Sequence, residues 1–179
     1  MSGSRLAATI GANRVLVVAA LMVVIAACAT EPRTTYGPPG GPAGALTDAT
    51  EAQVITALGG VGLSAVEAQL PYRPSEGALL ANAPRTVLQV TLPQDPNGAF
   101  IVIYALQSTQ AADAAAADQA ELITTNRGGA FPKTSRFSLR VVGNTVVFFT
   151  WIPEATIDPM TTLVEEALLG VGSEVPIAR

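Results

Sequence analysis

Two β-branched runs, Arg136 to Val142 and Thr145 to Trp151, are separated only by Gly143-Asn144. A two-residue link of that kind closes a β-hairpin. Counting back from it sets Val142 opposite Thr145, Leu139 opposite Phe148, Ser138 opposite Phe149 and Arg136 opposite Trp151. The side chains then fall on two faces. Phe137, Leu139, Val141, Val146 and Phe148 make one, which reads as helix-covered core; Val147, Phe149 and Trp151 lie on the other beside Arg136, Ser138 and Arg140.

The remaining pattern supplies the neighbours of this hairpin. Thr47 or Asp48 can cap a first helix with Val54, Ile55 and Leu58 at helical spacing and Gly59-Gly60 at its stop. Leu63 to Leu70 alternates weakly, with Val66, Ala68 and Leu70 against Glu67 and Gln69, so it reads as a strand or as a short second helix. Pro71 to Pro84 reads as a long loop. Arg85 to Leu92 is a strand, turn residues from Pro93 to Gly98 follow, and Phe100 to Leu106 is apolar on both faces, as a central strand is. Ser108 or Thr109 caps an alanine-rich helix to Thr124, with Ala112, Ala116, Ala120 and Ile123 toward the sheet and Asp113, Asp118 and Glu121 toward water. A last helix begins at Asp158-Pro159, buries Leu163, Ala167 and Leu168, and stops at Gly170. The expected fold is α+β: a mostly antiparallel sheet of four to five strands with helices packed on one face, in the order helix, strand, strand, strand, helix, strand, strand, helix.

The start of the chain is different. A basic opening with Arg5 and Arg14 precedes an apolar run from Val15 to Ala27, too short for the roughly 20 apolar residues of a membrane span. Ile25-Ala26-Ala27-Cys28 resembles the lipobox of bacterial lipoproteins, with Ile25 in place of the commonest leucine. That resemblance implies a diacylglyceryl group on the Cys28 thiol and removal of residues 1–27 as a signal peptide. The mature chain is then held by lipid on the outer side of the cytoplasmic membrane, or in an outer membrane where the organism has one. Residues 28–46, centred on Tyr36-Gly37-Pro38-Pro39-Gly40-Gly41-Pro42, offer little to bury and read as a tether. A single domain is expected from 47 to 179. From Asp48 to Leu169 the order of elements resembles small exported bacterial lipoproteins, a resemblance that carries no activity.

Composition narrows the function. Cys28 is the single cysteine, so the domain has no disulfide, and there is no histidine to act as general base or metal ligand. Without Arg5 and Arg14, eight basic residues face fourteen acidic ones, a net charge of −6. Nucleic acid is therefore not an expected partner. Lys133 near Ser135 reads as a turn. Gly60-Val61-Gly62 follows a helix, whereas a dinucleotide-binding loop must follow a strand. Asp95-Pro96-Asn97-Gly98 lacks the length and distal carboxylate of a calcium loop. Glu165 and Glu166 read as a solvated helix face.

One constellation is left as a candidate contact surface: Arg136, Arg140, Val147, Phe149 and Trp151, a mixture of rings and guanidinium groups favoured at interface centres. The alternative is that this face is covered, by the first helix or by the Pro71 to Pro84 loop. No catalytic residue, metal ligand or cofactor is expected. The leading expectation is a non-catalytic binding or accessory domain, with a protein or a small molecule as partner. A self-associating envelope subunit and a carboxylate-dependent enzyme are the alternatives.

Overall fold

The computed structural model describes residues 41–69, 71–95 and 98–178. Cys28, the signal segment and most of the tether lie outside them. In chain order the elements are α1 (Asp48–Gly60), β1 (Ser64–Glu67), α2 (Ala78–Ala81), β2 (Arg85–Thr91), β3 (Ala99–Ala105), α3 (Thr109–Thr125), β4 (Arg136–Val142), β5 (Thr145–Trp151), α4 (Thr161–Leu168) and β6 (Ser173–Glu174). The strands form one antiparallel sheet in the order β1-β2-β3-β5-β4-β6. The class is α+β as expected, with six strands instead of four to five.

The β4–β5 register is the one the turn dictates: Arg136 pairs with Trp151, Ser138 with Phe149, Leu139 with Phe148 and Val142 with Thr145. Gly143 has φ 57°, and Asn144 is not in the positive-φ region. A positive φ at the first turn position alone is the type II′ requirement, which glycine meets without strain.

Helices cover both faces of the sheet, where only one covered face was expected. On one face α1 contributes Val54 and Leu58 and α4 contributes Val164 and Leu168. They pack on Leu88, Val90, Ile101, Ile103, Val147 and Phe149. On the other, Leu80 of α2 and Ala112, Ala115, Ala116 and Ile123 of α3 pack on Val102, Tyr104, Leu139, Val146 and Phe148. The physical reason lies in the two central strands. β3 and β5 are apolar at successive positions, so water must be excluded from both sides.

Several details also depart from the pattern. Ile55 is exposed, because the buried stripe of α1 runs through Thr50, Val54 and Leu58 at four-residue spacing. Residues 64–67 are strand, paired with β2 from Ser64–Thr91 to Glu67–Leu88. The segment read as one loop from Pro71 to Pro84 contains α2. Asp118 is not a water-facing charge, since its Oδ2 accepts the Leu79 N–H at 3.2 Å. The tether boundary moves as well: the Arg85 N–H donates to the Gly41 carbonyl at 3.0 Å, the Ala43 N–H donates to the Arg85 carbonyl at 3.1 Å, and Ala43 is buried. The chain is thus docked on β2 from Gly41, ahead of the expected start at Thr47.

Candidate functional site

The five residues of the expected contact surface do not share a surface. Val147 and Phe149 are 0 % and 1 % exposed beneath α1 and α4, so they are core. Arg140 is buried too. Its Nε donates to the Val171 carbonyl at 2.7 Å and its Nη2 to the carbonyls of Leu169 and Gly172 at 2.9 and 3.1 Å. A guanidinium there satisfies carbonyls left without partners at the C-terminal end of α4 and complements the negative end of its dipole. Arg140 therefore holds the end of α4 to the sheet.

Arg136 and Trp151 remain near the surface, and they do come together. Arg136 donates through Nε and Nη2 to the two carboxylate oxygens of Glu165, at 3.1 and 3.2 Å. Trp151 Nε1 donates to Glu165 Oε2 at 3.2 Å, and the guanidinium carbon of Arg136 lies 5.8 Å from the centre of the indole ring. Glu165 is not simple solvation, as its position on the last helix suggests. It orients both side chains. The pair is half in solvent, so it contributes little to stability by itself.

Trp151 also forms part of a wall that the sequence does not reveal. At the end of the sheet where β3 begins and β5 finishes, four connecting segments converge: the strap through Tyr72 and Pro74, the Asp95–Gly98 turn, the loop through Phe131 and Pro132, and the segment from Ile152 to Thr156. They enclose a cleft of about 330 Å³. That lies at the small end of the 300–1,000 Å³ usual for ligand pockets, and loops carried on a rigid sheet are where binding groups concentrate. Its apolar lining comes from Tyr72, Phe131 and Trp151, and its polar lining from Ser75, Ser135, Thr150, Thr156 and Asp95. Tyr72 stacks on Phe100 at 4.5 Å, while Phe131 meets Phe137 edge-on at 4.9 Å. Burial pushes the Tyr72 phenol above its ordinary pKa.

The strap is held from behind by an ionic cluster. Glu76, with its side chain 2 % exposed, accepts from Arg85 Nη1, from Arg73 Nε at 2.8 Å and from the Tyr104 hydroxyl at 2.7 Å. Burial, then the charge of Glu76, raises the Tyr104 phenol far above its ordinary pKa and keeps it protonated. Gln119 of α3, fully buried, accepts the Gly77 N–H at 2.7 Å and donates to the Ser75 carbonyl at 3.1 Å. Gly77 also lies close to Asp118, whose carboxylate would have to shift to admit a Cβ there. Ser75 Oγ donates to the Ala130 carbonyl at 3.0 Å, which joins the strap to the loop across the cleft.

Chemically the cleft can hold a ligand against rings and hydroxyls. Among the described residues no group of three or more His, Cys, Asp or Glu is placed to hold a metal ion. The signal that could reveal the cleft is composition alone: Tyr72 and Phe131 are large rings beside prolines in connecting segments, where no repeat accounts for them. No protein-family model matches the chain, and neither does any curated protein or solved structure.

Proposed function

We propose that the chain is a lipid-anchored extracytoplasmic protein of the bacterial envelope whose folded domain binds a ligand and performs no catalysis, with the loop cleft as its binding site. The observation that carries the binding role is the convergence of four connecting segments around a cleft walled by Tyr72, Phe131 and Trp151. The strap that forms one wall is fixed by Glu76 and Gln119, so the site is formed before any ligand arrives. The anchor rests on Ile25-Ala26-Ala27-Cys28. No helix among the described residues is long and apolar enough to cross a membrane. Self-association through Val147 and Phe149 has no support, because α1 and α4 cover them.

Two measurements on the full chain in bacteria test the reading. Radioactive fatty acid should label the wild-type chain and leave Cys28→Ala unlabelled and unprocessed; label retained by the variant overturns the anchor. A photo-crosslinking residue at Thr156, on the cleft, should capture a discrete adduct that the same residue at Gln53, on α1, does not. Equal capture at both positions removes the cleft as the binding site.

A further inference from the structure

Resting on the reading of the cleft as a binding site, we propose that its ligand is a small organic cation, an alkylammonium group of about the size of choline. Among the described residues that line the cleft, Asp95 is the only charged one, and none is a lysine or arginine. Among the described residues Asp95 forms no ion pair. An anion placed there would lose water and meet a carboxylate with no counter-charge. A cation meets the opposite conditions. The faces of Tyr72 and Trp151 carry the negative side of the ring quadrupole, and a cation within about 6 Å of such a ring is attracted, most strongly by indole.

Trp151 already serves a cation in this way. Arg136 lies 5.8 Å from its ring centre, and the charge of Arg136 is matched by the two-point contact with Glu165. The pair is neutral overall, so it adds no net charge to the cleft wall, whose lining carries the carboxylate of Asp95. Over longer range the chain is acidic, with a formal net charge of −4 that becomes −6 without the two arginines of the signal segment. That field favours the approach of cations. The rings are also held in place: Tyr72 is stacked 15° from parallel on Phe100, and the indole N–H of Trp151 is tied to Glu165. Rigid ring walls with one carboxylate suit an alkylated cation, which needs apolar contact and charge but donates few hydrogen bonds.

Trp151 is the single tryptophan of the chain, so its fluorescence reports on the cleft. The full chain is titrated with choline, with its neutral isostere 3,3-dimethylbutan-1-ol, with acetate, and with phosphatidylcholine vesicles. Choline is expected to shift the emission saturably, with an apparent Kd at least about tenfold lower than the neutral isostere, the factor that 1.4 kcal/mol represents. Asp95→Asn should remove that preference while leaving the response to the isostere unchanged. Tyr72→Leu should weaken choline more than the isostere, and circular dichroism confirms that both variants are folded. A response to free choline assigns a soluble ligand; one to vesicles alone assigns a lipid headgroup, and either supports the proposal. Equal affinity for choline and its isostere, or a preference for acetate, overturns the cation while the cleft stands as a binding site. Silence of Trp151 toward all four probes overturns both.

Discussion

Glu76 and Phe149 show how much a single side chain can carry in this molecule. Glu76 is the shared acceptor of two guanidinium groups and a phenol, of which Arg85 and Tyr104 lie on strands it does not belong to. Glu76→Ala leaves Arg85 buried without its counter-charge and Tyr104 without its acceptor. The expected loss is about 3–5 kcal/mol, the range for breaking a buried pair by removing one partner, measured by denaturant unfolding. Phe149→Ala is expected to cost a similar amount, about 3–5 kcal/mol, through the cavity it opens beneath α1 and α4. Arg136→Ala, by contrast, removes a half-solvated pair and should cost about 1 kcal/mol or less. A loss for Arg136 as large as that for Phe149 would mean that the Trp151 corner is part of the core. None of this was legible residue by residue, since Glu76 sits among prolines and its partners Arg85 and Tyr104 are 9 and 28 residues away. A buried carboxylate and a solvated one look alike in such a segment.

Among the elements, the β4–β5 hairpin was legible to the residue because turn chemistry is local. What lay over it was not. The expectation of one covered face came from the order of elements, with Arg136, Ser138 and Arg140 giving β4 a polar side. β5 contradicts it, with Val146, Val147, Phe148 and Phe149 in succession. The same two-sided apolar pattern had identified β3 as central, and applied to β5 it calls for cover on both faces. β6 escaped notice because two residues carry no period. The end of the tether was missed for a related reason: Gly41 to Ala43 is held through its backbone, which composition does not reveal. A soluble domain beginning at Gly41 is expected to be about 1–3 kcal/mol more stable than one beginning at Ala45, the net worth of two backbone hydrogen bonds. Identical thermal unfolding of the two would show that the docked segment adds nothing.

At the scale of the whole molecule, α+β class and antiparallel pairing followed from the order of elements, while the cleft did not, because it depends on which connecting segments meet at one end of the sheet. Two of its neighbours also tie stability to pH. Tyr72 and Tyr104 hold their protons more tightly in the folded chain than in the unfolded one. Above about pH 10, where an ordinary phenol ionises, the unfolded chain releases protons that the folded chain keeps, so stability falls as pH rises further. Phenolate absorbance of these two tyrosines should therefore emerge together with loss of the circular dichroism signal. Ionisation of both before unfolding would contradict their burial.

The docking of Gly41 to Ala43 has a mechanical consequence. On the proposed anchoring through Cys28, a pull on the domain would enter at the side of β2, through two backbone hydrogen bonds to Arg85. Those two bonds carry load before the sheet does. Their rupture would free residues 41–46 and lengthen the leash by up to about 20 Å, at roughly 3.3–3.6 Å per extended residue. The same Arg85 grips Glu76 through its side chain, and Glu76 belongs to the strap that walls the cleft. Under the proposed anchoring, tension from the tether would thus be delivered to a residue that also braces the wall of the cleft.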